Sequence, residues 1–233
     1  MLRESYARAL KELEEEMIQL GNMVIQAISR SIETLKNLDV DDARAIVEDD
    51  IYINQKRWQI EDRCIDLMAT QQPVASELRR LIAILNIISE LERMGDHAGG
   101  IAKIVIQNDR KPWVKPLVDI PRMGDMITQM IRDALQAFVK RDEELARRIS
   151  AQDDDIDLIT HQIYRELLTY MAEDPKTITS ATYLIWVSHN LERIADRVTN
   201  ICERTVYLIT GQIEDLNVSV VKKSPWGEKE GDE

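Results

Sequence analysis

The chain has 233 residues, of which 44% are apolar and 31% charged, which is enough core material for one large domain or two small ones and too much for a disordered chain. Thirty Lys and Arg against 42 Asp and Glu leave a formal charge of −12, which argues against a groove that neutralises many nucleic-acid phosphates. Eight Gly, six Pro and one Phe give little of the turn punctuation an all-β fold needs.

The first residues carry no apolar segment of the signal-peptide kind, and the most apolar stretch, 81–88, is far too short to span a membrane. Two cysteines, Cys64 and Cys202, do not make a disulfide framework and read as core thiols in a reducing compartment. The expectation is a soluble, cytoplasmic protein.

In chain order, Tyr6, Leu10, Leu13, Met17, Leu20, Val24, Ala27 and Leu35 follow steps of three and four, so the first element is an amphipathic helix with a near-heptad seam. Turn and cap residues break it at 37–42. A second helix runs over about 41–70, with Ile46, Ile53, Trp58, Ile60, Ile65 and Met68 as its apolar set. Gln71, Gln72 and Pro73 end it, and a third helix covers about 75–107. Pro112, Pro116 and Pro121 mark a linker. Three further helical stretches cover about 117–140, 142–173 and 177–211, with Trp186 in the core of the last. Long helices joined by short turns imply antiparallel neighbours.

An internal repeat organises these six helices. Leu91-Glu92-Arg93-Met94-Gly95-Asp96 recurs 100 residues later as Leu191-Glu192-Arg193-Ile194-Ala195-Asp196. Upstream the offset is 103, pairing Leu35 with Phe138, Asp39 with Asp142 and Asp50 with Asp153. The three-residue loss falls most simply at the turn after the second helix, where an indel leaves helices untouched. The fold expected is all-α, two tandem three-helix bundles: 1–108, a linker over 109–121, a second bundle over 122–214 and a frayed tail over 215–233.

Glu92 and Asp96 are four apart, as are Glu192 and Asp196, so each pair shares a helix face. Asp50 with Asn54, and Asp153 with Asp157, repeat that spacing on the preceding helices. Asp50 precedes its hairpin turn by about as many residues as Asp96 follows it, and the second half does the same with Asp153 and Asp196, so each bundle gathers about four oxygen donors at one level. Clustered carboxylates repel unless cations neutralise them, and all-oxygen donors suit Mg²⁺, Mn²⁺ or iron. The plainer alternative is a solvated acidic face, with Arg93 and Arg193 in ion pairs. No His stands three residues after a Glu, which removes the usual di-iron oxidase signature, and no phosphate-binding Gly loop or nucleophile elbow occurs.

At these motifs, and at Gln72-Pro73-Val74-Ala75-Ser76-Glu77-Leu78-Arg79, the sequence resembles the PhoU family of phosphate-uptake regulators. The resemblance implies tandem three-helix bundles without catalytic turnover. It also implies multinuclear metal clusters, with iron or zinc as usual occupants, on Glu92/Asp96, Asp153/Asp157 and Glu192/Asp196. The fourth copy departs from the family pattern, with Asn54 after Asp50. Asn200 fits the family's continuation after Asp196, whereas its counterpart is Gly100. The implied role links a membrane phosphate ABC transporter to a sensor histidine kinase and restrains the phosphate-starvation response; a homodimer is a further expectation. A metal-dependent phosphohydrolase and a purely structural scaffold are the competing readings.

Overall fold

The computed structural model describes residues 2–216. The first unit consists of α1 (Leu2–Asn37), α2 (Val40–Gln71) and α3 (Ala75–Asn108). The second consists of α4 (Asp119–Lys140), α5 (Glu143–Ser150), α6 (Asp153–Glu173) and α7 (Ile178–Thr210), with a single 3₁₀ turn at Pro175–Thr177. No strand occurs among the described residues. The expected tail beyond Leu216 lies outside the described residues.

The first turn of each unit is built the same way. Leu38 and Arg141, 103 apart, both adopt the left-handed conformation at φ 54. Asp39 and Asp142 follow them as N-caps, Asp39 accepting from Asp41 and Asp42 N–H and Asp142 from Leu145 N–H. A capping carboxylate satisfies N–H groups that the helix start leaves open and suits the positive end of its dipole.

The second unit departs from the expected single helix over 142–173, which breaks at Ala151 and Gln152. Asp153, Asp154 and Asp155 fill the first turn of α6, favouring a helix start there, whereas the matching positions Asp50, Ile51 and Tyr52 lie inside the continuous α2. One boundary also moves: α4 starts at Asp119, so Pro121 lies in its first turn, where a missing N–H costs nothing.

The core residues of α1 are buried as the heptad reading requires: Leu10, Leu13, Met17, Leu20, Val24 and Leu35. Within the units, α1, α2 and α3 pack on one another, as do α4, α5, α6 and α7; between them, α3 packs on α7 and α1 on α4. The buried apolar residues form one continuous cluster through both units. Two tryptophans correct the sequence reading. Trp58 is 54% and Trp186 49% exposed, because both stand on the outer faces of their helices, and Ile65 joins Trp58 outside at 51%.

The segment between the units is tied down along its length. Trp113 Nε1 donates to the Leu35 carbonyl (2.8 Å) and Val114 N–H to Ser180 Oγ (3.1 Å), while Lys115 pairs with Glu166.

Candidate metal centre

In the first unit the structure brings the α2 and α3 carboxylates together. Asp50 Oδ2 accepts from Asn54 Nδ2 one turn on, at 2.9 Å, so this pair is pre-ordered on one face of α2. Opposite them, α3 presents Gly95. A β-carbon there would stand 3.1 Å from Ile53 Cδ1 and 3.5 Å from Asp50 Oδ1, so the bare backbone lets the two helices close beside the carboxylate.

Burial pushes the Asp50 carboxyl above its ordinary range, and the charge of Asp96 pushes it further, against the opposing effects of the Asn54 hydrogen bond and Lys103. Glu92 is raised by burial first and then by Asp96, with Asp50 adding to it and Arg57 and Arg93 opposing. These mutual effects show Asp50, Glu92 and Asp96 acting as one cluster across the α2–α3 contact.

The second unit is built differently. Asp153 and Asp157, one turn apart on α6, are 2% and 7% exposed, an unusual burial for carboxylates. The α7 partners have side-chain neighbours of their own: His189 Nδ1 lies 3.1 Å from Glu192 Oε2, and Arg193 pairs with Asp196 at 3.2 Å. Asn200 is half-buried one turn after Asp196. Helices α6 and α7 pack together, as the hairpin register requires.

The donor chemistry of both sets is oxygen-rich and suits a hard cation. Among the described residues, however, no three His, Cys, Asp or Glu side chains are drawn together tightly enough to enclose an ion. The residues fit the group by type and electrostatics; their side chains stand short of a closed ligand shell.

Sequence reasoning missed a cleft of about 240 Å³ beside Asp50, lined by Met23, Arg30, Asp49, Tyr52 and Gly95 among others. Arg30 there bridges Asp42 and Asp49. The one available signal was Gly95, a glycine inside a helical pattern, which marks close approach of another backbone or ligand.

His97 borders the cluster but turns to the other unit. Its Nδ1 lies 3.0 Å from Asn190 Oδ1, and the Asn190 amide nitrogen donates to the Trp186 carbonyl (2.8 Å). The oxygen is therefore the acceptor and His97 donates from Nδ1; burial lowers its pKa and keeps it neutral.

Residues 17–105 and 120–205 each match the PhoU domain, one match per unit. The chain belongs to the PhoU family. A phosphate-specific transport system accessory protein PhoU homolog from Clostridium acetobutylicum is 38% identical over 218 residues, covering 93% of this chain and all of the relative. The Escherichia coli K12 accessory protein PhoU is 35% identical over 203 residues, covering 87% of this chain and 84% of its own. The crystal structure of the phosphate transport system regulatory protein PhoU from Streptococcus pneumoniae matches with a TM-score of 0.84 at 35% identity, over 90% of this chain and 99% of that one. PhoU from Pseudomonas aeruginosa matches with the same TM-score at 32% identity, over 89% and 100%. PhoU relatives are thus named as accessory or regulatory proteins of phosphate transport. Among the described residues no helix is long and apolar enough to cross a membrane.

Proposed function

We propose that this chain is a metal-binding regulatory adaptor of phosphate transport rather than an enzyme. It works in the cytoplasm, linking a phosphate ABC transporter to a sensor histidine kinase and restraining the starvation response when phosphate is plentiful. The observation that carries the metal reading is the coupled cluster of Asp50, Glu92 and Asp96, whose mutual repulsion a bound cation relieves. Asp50, Asn54, Glu92 and Asp96 hold metal in the first unit; Asp153, Asp157, Glu192, Asp196 and Asn200 hold it in the second. The family's usual occupants favour iron, and the donor set also admits zinc, manganese or magnesium. The adaptor reading draws on the names of the relatives and on two PhoU matches that together span most of the chain.

The test has two arms. Deleting the gene is expected to leave a phosphate-starvation reporter switched on in high phosphate, and normal repression in the deletion strain counts against the adaptor role. Elemental analysis of protein purified without chelators is expected to find metal in both units, and metal-free protein defeats the metal reading.

A further inference from the structure

Asp215 and Leu216 belong to the tail expected to fray, yet residues 211–216 fold back on the second unit. Helix α7 gives way to Gly211 at φ 76, and the chain returns toward Glu203, seven residues before the helix end and about 10 Å back along its axis. Three side chains hold the returning strap. Arg147 of α5 pairs with Glu214 at 2.8 Å. Glu203 of α7 accepts from the Leu216 N–H at 3.1 Å, and Ser150 of α5 donates to the Leu216 carbonyl at 3.5 Å. The Leu216 side chain packs against the buried core.

The repeat shows that the fold itself does not call for these groups. At the matching positions of the first unit stand Arg44, Val47 and Lys103. The cation is kept, but the two groups that bind the Leu216 main chain are replaced by a valine, which has no polar side-chain atom, and a lysine, which cannot accept. Ser150 and Glu203 thus belong to the second unit alone, and what they do there is read one extended stretch of backbone.

We propose that the groove between α5 and α7 is a docking slot for an extended segment of the form acidic–any–leucine. The chain's own Glu214-Asp215-Leu216 fills it here, and such a segment of a partner protein takes its place when the strap lifts. The recognition is of a familiar kind: main-chain hydrogen bonds supply the hold, while a charge pair and an apolar contact select the sequence. Two observations make the strap displaceable. The Arg147 and Glu214 side chains are 39% and 34% exposed, and an ion pair so open to water holds weakly. Its middle residue also fits poorly. Burial raises the Glu203 carboxyl, the Leu216 N–H opposes this, and the charge of Asp215 raises it again, so two like charges meet within the slot. An occupant with a neutral middle residue is therefore preferred. The slot goes beyond the adaptor reading and does not rest on metal binding; whatever the deletion strain shows, the titration below stands on its own.

A fluorescent peptide of residues 211–217 is titrated into the full chain and into its Glu214→Ala/Leu216→Ala variant, in which the slot is vacated. The tethered strap competes at an effective concentration on the order of 1 mM, so the vacated variant is expected to bind at least about 10-fold more tightly than the wild type. A peptide with Asp215→Asn is expected to bind more tightly still. Adding Glu203→Lys to the vacated variant, which installs the first unit's residue, is expected to abolish binding. Adding Arg147→Glu instead is expected to abolish binding of this peptide and to confer binding of one with Glu214→Lys. That exchange of preference requires a folded slot, so it separates lost recognition from lost structure. A vacated variant that fails to bind at about 1 mM peptide overturns the proposal, and so does equal binding by the two chains. Either result makes the strap a fixed part of the fold.

Discussion

Ile32 of α1 lies across the bare backbone of Gly124 on α4, its Cδ1 occupying the place a β-carbon would take. The contact is repeated in reverse, with Leu135 of α4 filling the place of a β-carbon on Gly21 of α1. Gly21 and Gly124 are related by the 103-residue offset, as are Ile32 and Leu135, so the units meet as two copies would across a two-fold axis. The α3–α7 contact obeys the same rule at the offset of 100. His97 meets Asn190, and their counterparts Arg197 and Glu90 pair at 3.0 Å.

Helix propensity alone makes Gly124→Ala stabilising by about 1 kcal/mol. The filled space opposes this, and the substitution is expected to be neutral or destabilising. Adding Ile32→Val removes the obstructing methyl and restores the gain, a coupling of about 0.5–3 kcal/mol in a double-mutant cycle of denaturant melts. Additive effects rule out the contact as the reason for the glycine.

Trp113 ties the inter-unit segment to one of the terminal carbonyls of α1, which has no partner inside its helix. Trp113→Phe keeps most of the ring and loses the hydrogen bond. The expected cost is about 1 kcal/mol, read as a fall of about 2–4 °C in melting temperature. An unchanged melt shows that water replaces the donor.

Glu92→Gln with Asp96→Asn is expected to remove about half of the bound metal, because the second unit's donors are untouched. With metal present the variant melts lower than the wild type, since a ligand held only by the folded state adds stability. Stripped of metal it melts no lower, because neutralising two carboxylates relieves the repulsion. A stripped variant melting clearly below the stripped wild type means that Glu92 and Asp96 serve as ion-pair partners.

The same carboxylates set a pH dependence. Asp50 and Glu92 are both raised in the folded state, so the folded chain holds more protons than the unfolded one just above the ordinary carboxylate range. Unfolding free energy contributed by these groups therefore falls as pH rises through that window. Metal-free Asp50→Asn/Glu92→Gln is expected to out-melt the metal-free wild type at pH 7. The gap closes as pH is lowered toward about 4, where the wild-type groups protonate. A gap independent of pH removes the electrostatic cause.

Burial pushes the Cys64 and Cys202 thiols up to about 12. Neither is expected to react with a disulfide reagent at pH 8 in the native protein, and both titrate in denaturant, because the thiolate is the reacting form. Fast labelling of the native chain places a thiol outside the core.

The six-helix pattern and the repeat were legible in the sequence because each rests on local information: apolar residues at steps of three and four, and a motif that recurs with one indel in a turn. Asp50, Glu92 and Asp96 were legible as one group for a similar reason, since hairpin register follows from counting residues to the turn. The break before Asp153 was visible in principle as three consecutive aspartates, a helix-start signal inside an otherwise helical run. Trp58 and Trp186 were misread because periodicity places a residue on a face without saying whether anything covers it. Only the packing of α3 on α7 and α1 on α4 decides which faces are inside, and that packing depends on glycines whose partners are about a hundred residues away. Local spacing determined the helices and grouped the carboxylates; the long-range contacts alone decided which apolar stripe was left exposed to water.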